Sequence, residues 1–98
     1  MRTCSEITIY KVAKANIPRV IALSLSIIAE MNENETVITS HEILQSTDNE
    51  EEICWHLTWV SEEAVKLYTE KWPHLPSANA LMSLVEKKVY YGHFVSLS

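Results

Sequence analysis

The stretch Ile53-Cys54-Trp55-His56-Leu57-Thr58-Trp59-Val60-Ser61-Glu62-Glu63-Ala64-Val65-Lys66-Leu67-Tyr68 decides the fold. Its first half sets Trp55, Leu57 and Trp59 on one side and Cys54, His56 and Thr58 on the other, the two-residue period of a strand. The period then changes. Ser61 is a helix N-cap residue, and Glu62 and Glu63 suit the positive end of the helix dipole. Val65, Tyr68 and Trp72 share one helical face. Pro73 and Pro76 end that helix.

Upstream, Thr36–Gln45 is rich in Thr, Val and Ile and reads as a strand, and Glu52–Val60 as its partner. The polar turn Ser46-Thr47-Asp48-Asn49-Glu50 joins them as an antiparallel hairpin. A turn centred on Asp48-Asn49 predicts that Leu44 faces Ile53 and that His41 faces His56. It sets Thr39, His41, Ile43, Cys54, His56 and Thr58 on one face, and Ile38, Leu44, Trp55, Leu57 and Trp59 on the other. A one-residue slip would undo this pairing.

Glu6–Val12 is a further β-branched run, apolar on both faces through Ile7/Ile9 and Tyr10/Val12, so both sheet faces are expected to be covered. Asn16-Ile17-Pro18 marks a helix start with Asn16 as N-cap. Ile17, Val20, Ile21, Leu25, Ile28 and Met31 form the predicted apolar face, widened by Leu23 and Ile27. A second helical piece is predicted from Ser77 to Glu86 on Ala78, Leu81, Met82 and Val85, with Lys87-Lys88 at its negative end. Val89–Leu97 reads as the last strand.

The order is therefore β-α-β-β-α-β, the ferredoxin-like arrangement of an α+β domain with an antiparallel sheet. Right-handed crossovers put both helices on one face. The other face needs a cover, for which a second copy of the same sheet is the expected one. The chain is read as one domain, 1–98.

Of the 98 residues, 47% are hydrophobic and 21% charged, ordinary for a folded domain, and the single Gly leaves no Gly-rich phosphate loop. A net charge of −5 argues against a nucleic-acid partner. The apolar stretch near Ile17–Ile28 is broken by Arg19, Ser24 and Ser26, so no membrane span is expected. Met1-Arg2-Thr3-Cys4 lacks an apolar leader run. Cys4 and Cys54 form no metal or redox motif, and a cytoplasmic home fits them. Cys4 is placed near a mobile terminus, and Cys54 as a buried small hydrophobe.

An apolar strand ending in Trp59, the turn Val60-Ser61-Glu62-Glu63-Ala64 and the helix after it resemble the "strand, W, x, S, x, E, A" junction of the antibiotic-biosynthesis-monooxygenase-like proteins, the dimeric α/β-barrel superfamily. The resemblance covers about a dozen residues by motif and most of the chain by element order. It implies a homodimer joined through the sheet face and the last strand. It also implies an enzyme that needs no cofactor: an electron-rich aromatic substrate is deprotonated and its anion reacts with oxygen. Two departures stand out. Tyr68 occupies the position where many relatives carry His, and Glu35-Thr36 stands where many have Pro-Gly. The haem-degrading branch finds Thr8, Tyr68 and Ala78 at its Asn, Trp and His positions, so haem is not implied, unless a shifted alignment gives His74 the ligand role.

The resemblance and the residues nominate Tyr68, His56 and His74 for proton transfer, and Trp59, Trp72, His41 and Tyr10 for ligand contact. Each has a second reading. His41 and His56, side by side, would relay protons or hold a metal, although no third ligand follows at recognisable spacing; alternatively they are polar residues at a wet cavity or a subunit interface. Trp55, Trp59, Tyr68 and Trp72 line a pocket or simply pack the core and dimer interface. Trp72-Pro73-His74-Leu75-Pro76 is a pocket lip or a helix break. His93, beside the lone Gly92, is a further candidate to face the cavity, and Gly92 marks a bulge or a close backbone approach. Two functions remain open: a small monooxygenase-like enzyme or binder for an apolar or aromatic molecule, and a non-catalytic dimeric interaction domain. A cavity of several hundred Å³ beside Tyr68 and a His favours the first.

Overall fold

The computed structural model describes residues 2–98. Its strands are β1 (Cys4–Val12), β2 (Ile38–Gln45), β3 (Glu52–Trp59) and β4 (Val85–Phe94). Its α-helices are α1 (Ile17–Met31), α2 (Glu62–Thr69) and α3 (Ala78–Leu84), with 3₁₀ turns at Lys14–Asn16 and Trp72–His74. The sheet order is β2-β3-β1-β4 and every pairing is antiparallel, so the ferredoxin-like α+β expectation holds.

Alternation divides the sheet into two faces. Cys4, Glu6, Thr8, Tyr10 and Val12 of β1 and Ile53, Trp55, Leu57 and Trp59 of β3 are all buried. The register lays these two sets side by side, with Glu6 opposite Leu57 and Thr8 opposite Trp55. The helices cover this face: Trp55 Nε1 donates to Ser24 Oγ of α1 at 2.9 Å, and Tyr68 of α2 packs on Trp59. Burying a side chain such as Leu57 contributes roughly 1.5–3 kcal/mol, so this layer supplies much of the stability. On the other face Ile7 and Ile9 are half-buried, while Tyr90 and Phe94 are 44% and 50% exposed.

Several expectations need correction. The hairpin register is displaced by one residue: Leu44 faces Cys54, Glu42 faces His56, and His41 faces Leu57. The cause is the loop. Ser46 N donates to Glu52 O, which leaves the odd-numbered segment 47–51 between the strands instead of a two-residue turn. Ser46 Oγ accepts from Asp48 N and Asn49 N and closes it. Ile43 thus joins the face of Trp55, and Leu44 the face of Cys54. A register shift between Ile38 and Ser40 then returns Ile38 to the buried side, opposite Trp59.

On α1 the inward residues are Val20, Ser24, Ile27, Ile28 and Met31, while Ile21 and Leu25 point outward. The buried Ser24 is tolerated because its hydroxyl donates to Val20 O at 2.6 Å and accepts from Trp55. Asn16 makes no side-chain cap, because it closes the preceding 3₁₀ turn in an αR conformation. Ser61 does cap α2, accepting from Ala64 N at 3.1 Å. The second helical piece stops at Leu84, and β4 starts at Val85, which pairs with Val12. Lys87 and Lys88 are strand residues opposite Lys11 and Tyr10, and β4 ends at Phe94. Cys4 is buried as the first residue of β1, and Cys54 is half-buried on the open face. Gly92 does permit a close approach: a Cβ there would lie 2.6 Å from Tyr90 Oη. The register irregularities of the β1–β4 pair fall elsewhere, at Ile9/Tyr10 and Lys11/Val12.

Candidate functional site

A cavity of about 170 Å³ lies between the sheet and the helices. Glu6 and Tyr10 line it from β1, Trp55, Leu57 and Trp59 from β3, and Lys88 and Tyr91 from β4. Met31 of α1, Tyr68 and Thr69 of α2, and Trp72 complete the wall. Alternation on β1 and β3 aims the strand residues inward. The Ser61 cap fixes where α2 begins and therefore which of its residues, Val65 and Tyr68, face the sheet. The aromatic rings brace one another edge-on. Tyr10 meets Trp55 at 5.4 Å and Trp55 meets Trp72 at 5.6 Å, while Trp59 and Tyr68 are tilted at 6.3 Å.

The polar element of this wall is Glu6, which is 6% exposed. Trp59 Nε1 donates to its Oε1 at 3.0 Å, and Thr8 Oγ1 donates to its Oε2 at 2.6 Å. A carboxylate buried among rings needs such donors to stay there. His93 Nε2 lies 3.3 Å from Oε1, and this buried nitrogen has no hydrogen-bond partner among the described residues.

The neighbouring acids are held neutral. Burial pushes the Tyr10 phenol far up, and the Glu6 charge and Tyr91 add to the effect. Burial also raises the Tyr91 phenol, with Glu6 second, against a hydrogen bond with Thr69. Lys88 Nζ stands 4.9 Å over the Tyr91 ring and brings a positive charge to the cavity.

A second, more open cavity of about 290 Å³ lies on the same helix-covered side of the sheet, between Cys4, His93, Phe94 and Val95 and the α2 residues Glu62, Val65 and Lys66. Burial and the Glu62 carboxylate raise the Cys4 thiol, which is therefore a poor nucleophile.

Of the residues nominated from sequence, Tyr10, Trp59, Tyr68 and Trp72 come together in the inner cavity. The three histidines do not join them. His56 sits on the open sheet face, its Nδ1 3.6 Å from Glu42. His41 lies across from Leu57 on an exposed edge strand, so the side-by-side histidine pair does not form. His74 is exposed in the 3₁₀ turn. The cavity stands beside Tyr68 as expected but is smaller than several hundred Å³, and its lining holds the carboxylate of Glu6 and no His. Glu6 had a legible signal, since it alternates with Thr8 and Tyr10 on one face of β1. Lys88 was hidden by the reading of Lys87-Lys88 as a helix end.

Solved structures share this fold. SnoaB, a cofactor-independent oxygenase from Streptomyces nogalater, aligns over 100% of this chain and 96% of its own, at 19% identity and a TM-score of 0.76. A candidate antibiotic biosynthesis monooxygenase from Caulobacter crescentus aligns over 99% and 92%, at 14% identity and a TM-score of 0.80. The fold is that of the antibiotic-biosynthesis-monooxygenase-like proteins. This agrees with the resemblance carried by Trp59 and the Ser61-to-Ala64 turn. A candidate monooxygenase of the same kind from Nitrosomonas europaea aligns over 98% and 91%, at 11% identity and a TM-score of 0.78. At these identities the monooxygenase-like likeness is one of fold. No protein-family model matches the sequence, and no curated protein does. Among the described residues, no helix is long and apolar enough to cross a membrane.

Proposed function

We propose that this chain is a small cytoplasmic, monooxygenase-like protein that binds a single-ring aromatic molecule and oxidises it without a cofactor, with Glu6 as the base. The observation that carries the proposal is a buried carboxylate set into an aromatic cavity of about 170 Å³. An apolar cavity of about 150 Å³ holds one benzene ring, so this one suits a monocyclic phenol. Glu6 supplies the proton acceptor, Lys88 the charge for a phenolate, and Trp55, Trp59 and Trp72 the walls.

The reaction balances as phenol plus dioxygen giving a para-quinone plus water. Glu6 takes the phenol proton. The para carbon of the phenolate bonds to dioxygen, and the resulting peroxide takes up a proton from water. Glu6 then removes the para C–H proton as the O–O bond breaks; the carbon is oxidised to the carbonyl and the outer oxygen leaves as water. Tyr10 and Tyr91, kept neutral, serve as hydrogen-bond donors to oxygen atoms in the cavity.

The protein acts as a homodimer through the open sheet face and β4. Ile7, Ile9, Tyr90 and Phe94 give that face its apolar surface, and Tyr90 stacks on Phe94 at 6.5 Å. A second reading, a non-catalytic dimeric binding domain, is favoured by the exposed positions of His41 and His74 and by the modest cavity.

Oxygen consumption with 2-methoxyphenol, a one-ring phenol with a free para position, tests the proposal. One O₂ consumed per phenol lost is expected, falling at least about 100-fold in Glu6→Gln. Saturable binding with no oxygen consumption selects the non-catalytic reading. No binding at millimolar concentration overturns both ligand-binding readings.

A further inference from the structure

Glu6 and His93 stand directly opposite each other on β1 and β4. Glu6 faces the inner cavity and His93 the outer one, and 3.3 Å between Oε1 and Nε2 joins the two spaces. The Nε2 atom is buried and has no hydrogen-bond partner among the described residues. Buried polar atoms are nearly always satisfied, and an exception beside a candidate base is a place for a proton.

A bound phenol would fill the space in front of Glu6, which leaves His93 as the acceptor beside it. Its carboxylate must be freed before it can act again. We propose that His93 receives the proton Glu6 takes from a bound phenol and passes it to water in the outer cavity. This inference rests on the reading of Glu6 as the base. In the first step the phenol O–H breaks and a Glu6 O–H forms. In the second the Glu6 O–H breaks and a His93 Nε2–H forms, which leaves phenolate, carboxylate and imidazolium. The imidazolium then gives a proton to water in the outer cavity.

The charges around His93 suit this task. Glu6 of β1 is its counter-charge at 3.3 Å. Cys4 of β1 and Tyr91 of its own strand are held neutral, so neither competes for the proton. Glu62 and Lys66 of α2, at the far wall of the outer cavity, offset each other. Without the imidazolium, phenolate and carboxylate would face each other across a small cavity, which disfavours ionising both. His93 is a positioning and relay residue; its ring stands beside the base on the same sheet face and does not line the inner cavity.

The test uses 4-nitrophenol, a one-ring phenol whose anion absorbs visible light, with the intact protein carrying ¹⁵N-labelled histidine. On saturation the bound phenol is expected to ionise, and the ¹⁵N shifts of His93 are expected to move from neutral imidazole to imidazolium, with His41, His56 and His74 unchanged. Glu6→Gln should bind the phenol in its neutral form and leave His93 neutral. His93→Gln should bind equally well but show about a ten-fold lower ratio of ionised to neutral bound phenol at a fixed pH, one pKa unit. Ionised phenol beside a His93 that stays neutral overturns the relay and leaves Glu6 as base intact. An unchanged ratio in a folded His93→Gln overturns it too. Failure of the phenol to bind or to ionise overturns the underlying reading and the relay with it. The wild-type ¹⁵N measurement stands even if a variant fails to fold.

Discussion

Trp59 Nε1 donates a 3.0 Å hydrogen bond to Glu6 Oε1, diagonally across the antiparallel β1–β3 pair. The tryptophan that closes β3 and hands the chain to α2 is thus also the anchor of the buried carboxylate. One residue serves both the strand-to-helix junction and the candidate site. Hydrogen bonds to a charged group are worth about 1.5–3 kcal/mol, so Trp59→Phe is expected to lower unfolding free energy by at least that amount in urea titration. In Glu6→Gln the same substitution should cost less, because the acceptor is no longer charged. Equal costs in the two backgrounds would separate Trp59 from the carboxylate.

Ser24 and Trp55 form another buried side-chain pair, joining α1 to the sheet. Ser24→Ala leaves the indole N–H without a partner and should cost about 1–3 kcal/mol. Adding Trp55→Phe removes the orphaned donor, so the two losses should fall short of their sum by more than about 0.5 kcal/mol. Additive losses in a double-mutant cycle would contradict the pairing.

Asn32 ends α1 and pins the chain into β2. Its Oδ1 accepts from Val37 N at 3.0 Å and Ile38 N at 2.9 Å, and its Nδ2 donates to Ile38 O at 2.9 Å. Asn32→Ala is expected to destabilise by about 2–3 kcal/mol and to raise amide exchange at Val37 and Ile38 ahead of the rest of the sheet. Unchanged exchange at those two amides would count against this role.

Stability should fall with alkaline pH. Burial, then Glu6, then Tyr91 raise the folded Tyr10 phenol above its unfolded value. Above about pH 10 the unfolded chain releases a proton that the folded chain keeps, so unfolding gains on folding as pH rises. The stabilising contribution is complete below that pH. Tyr10→Phe should flatten the alkaline slope of stability, measured by urea midpoints across pH 9 to 11, roughly the window of the phenol. A slope that persists in the variant would assign it to another group.

The open sheet face sets the oligomeric state proposed above. Light scattering after size exclusion should give a dimer at micromolar concentration, and Phe94→Glu should give a folded monomer, since it puts a charge where Tyr90 and Phe94 stack. A wild-type monomer would remove the dimer from the proposal.

Much of the fold was written locally. The alternation of Trp55, Leu57 and Trp59 and the Ser61 cap each act over a few residues, and β3 and the start of α2 appear where they put them, whereas α2 ends at Thr69, ahead of Pro73, and leaves Trp72 in a 3₁₀ turn. The register of the hairpin was not local in the same way. It turned on whether Ser46 bonds to Glu51 or Glu52, a choice of loop length that leaves the pattern of either strand unchanged. That single residue separated His41 from His56.

The sequence by itself determined the ferredoxin-like order, the junction at Trp59 and the gathering of Tyr10, Trp59, Tyr68 and Trp72, because two-residue and 3.6-residue periods already say which side chains share a face. Only the tertiary structure decided the chemistry of the cavity. Glu6, Thr8, Trp59 and His93 come from three strands, two of them far apart in the chain from β1. Their contacts depend on which strands are neighbours and in what register, and no pattern within one strand encodes that.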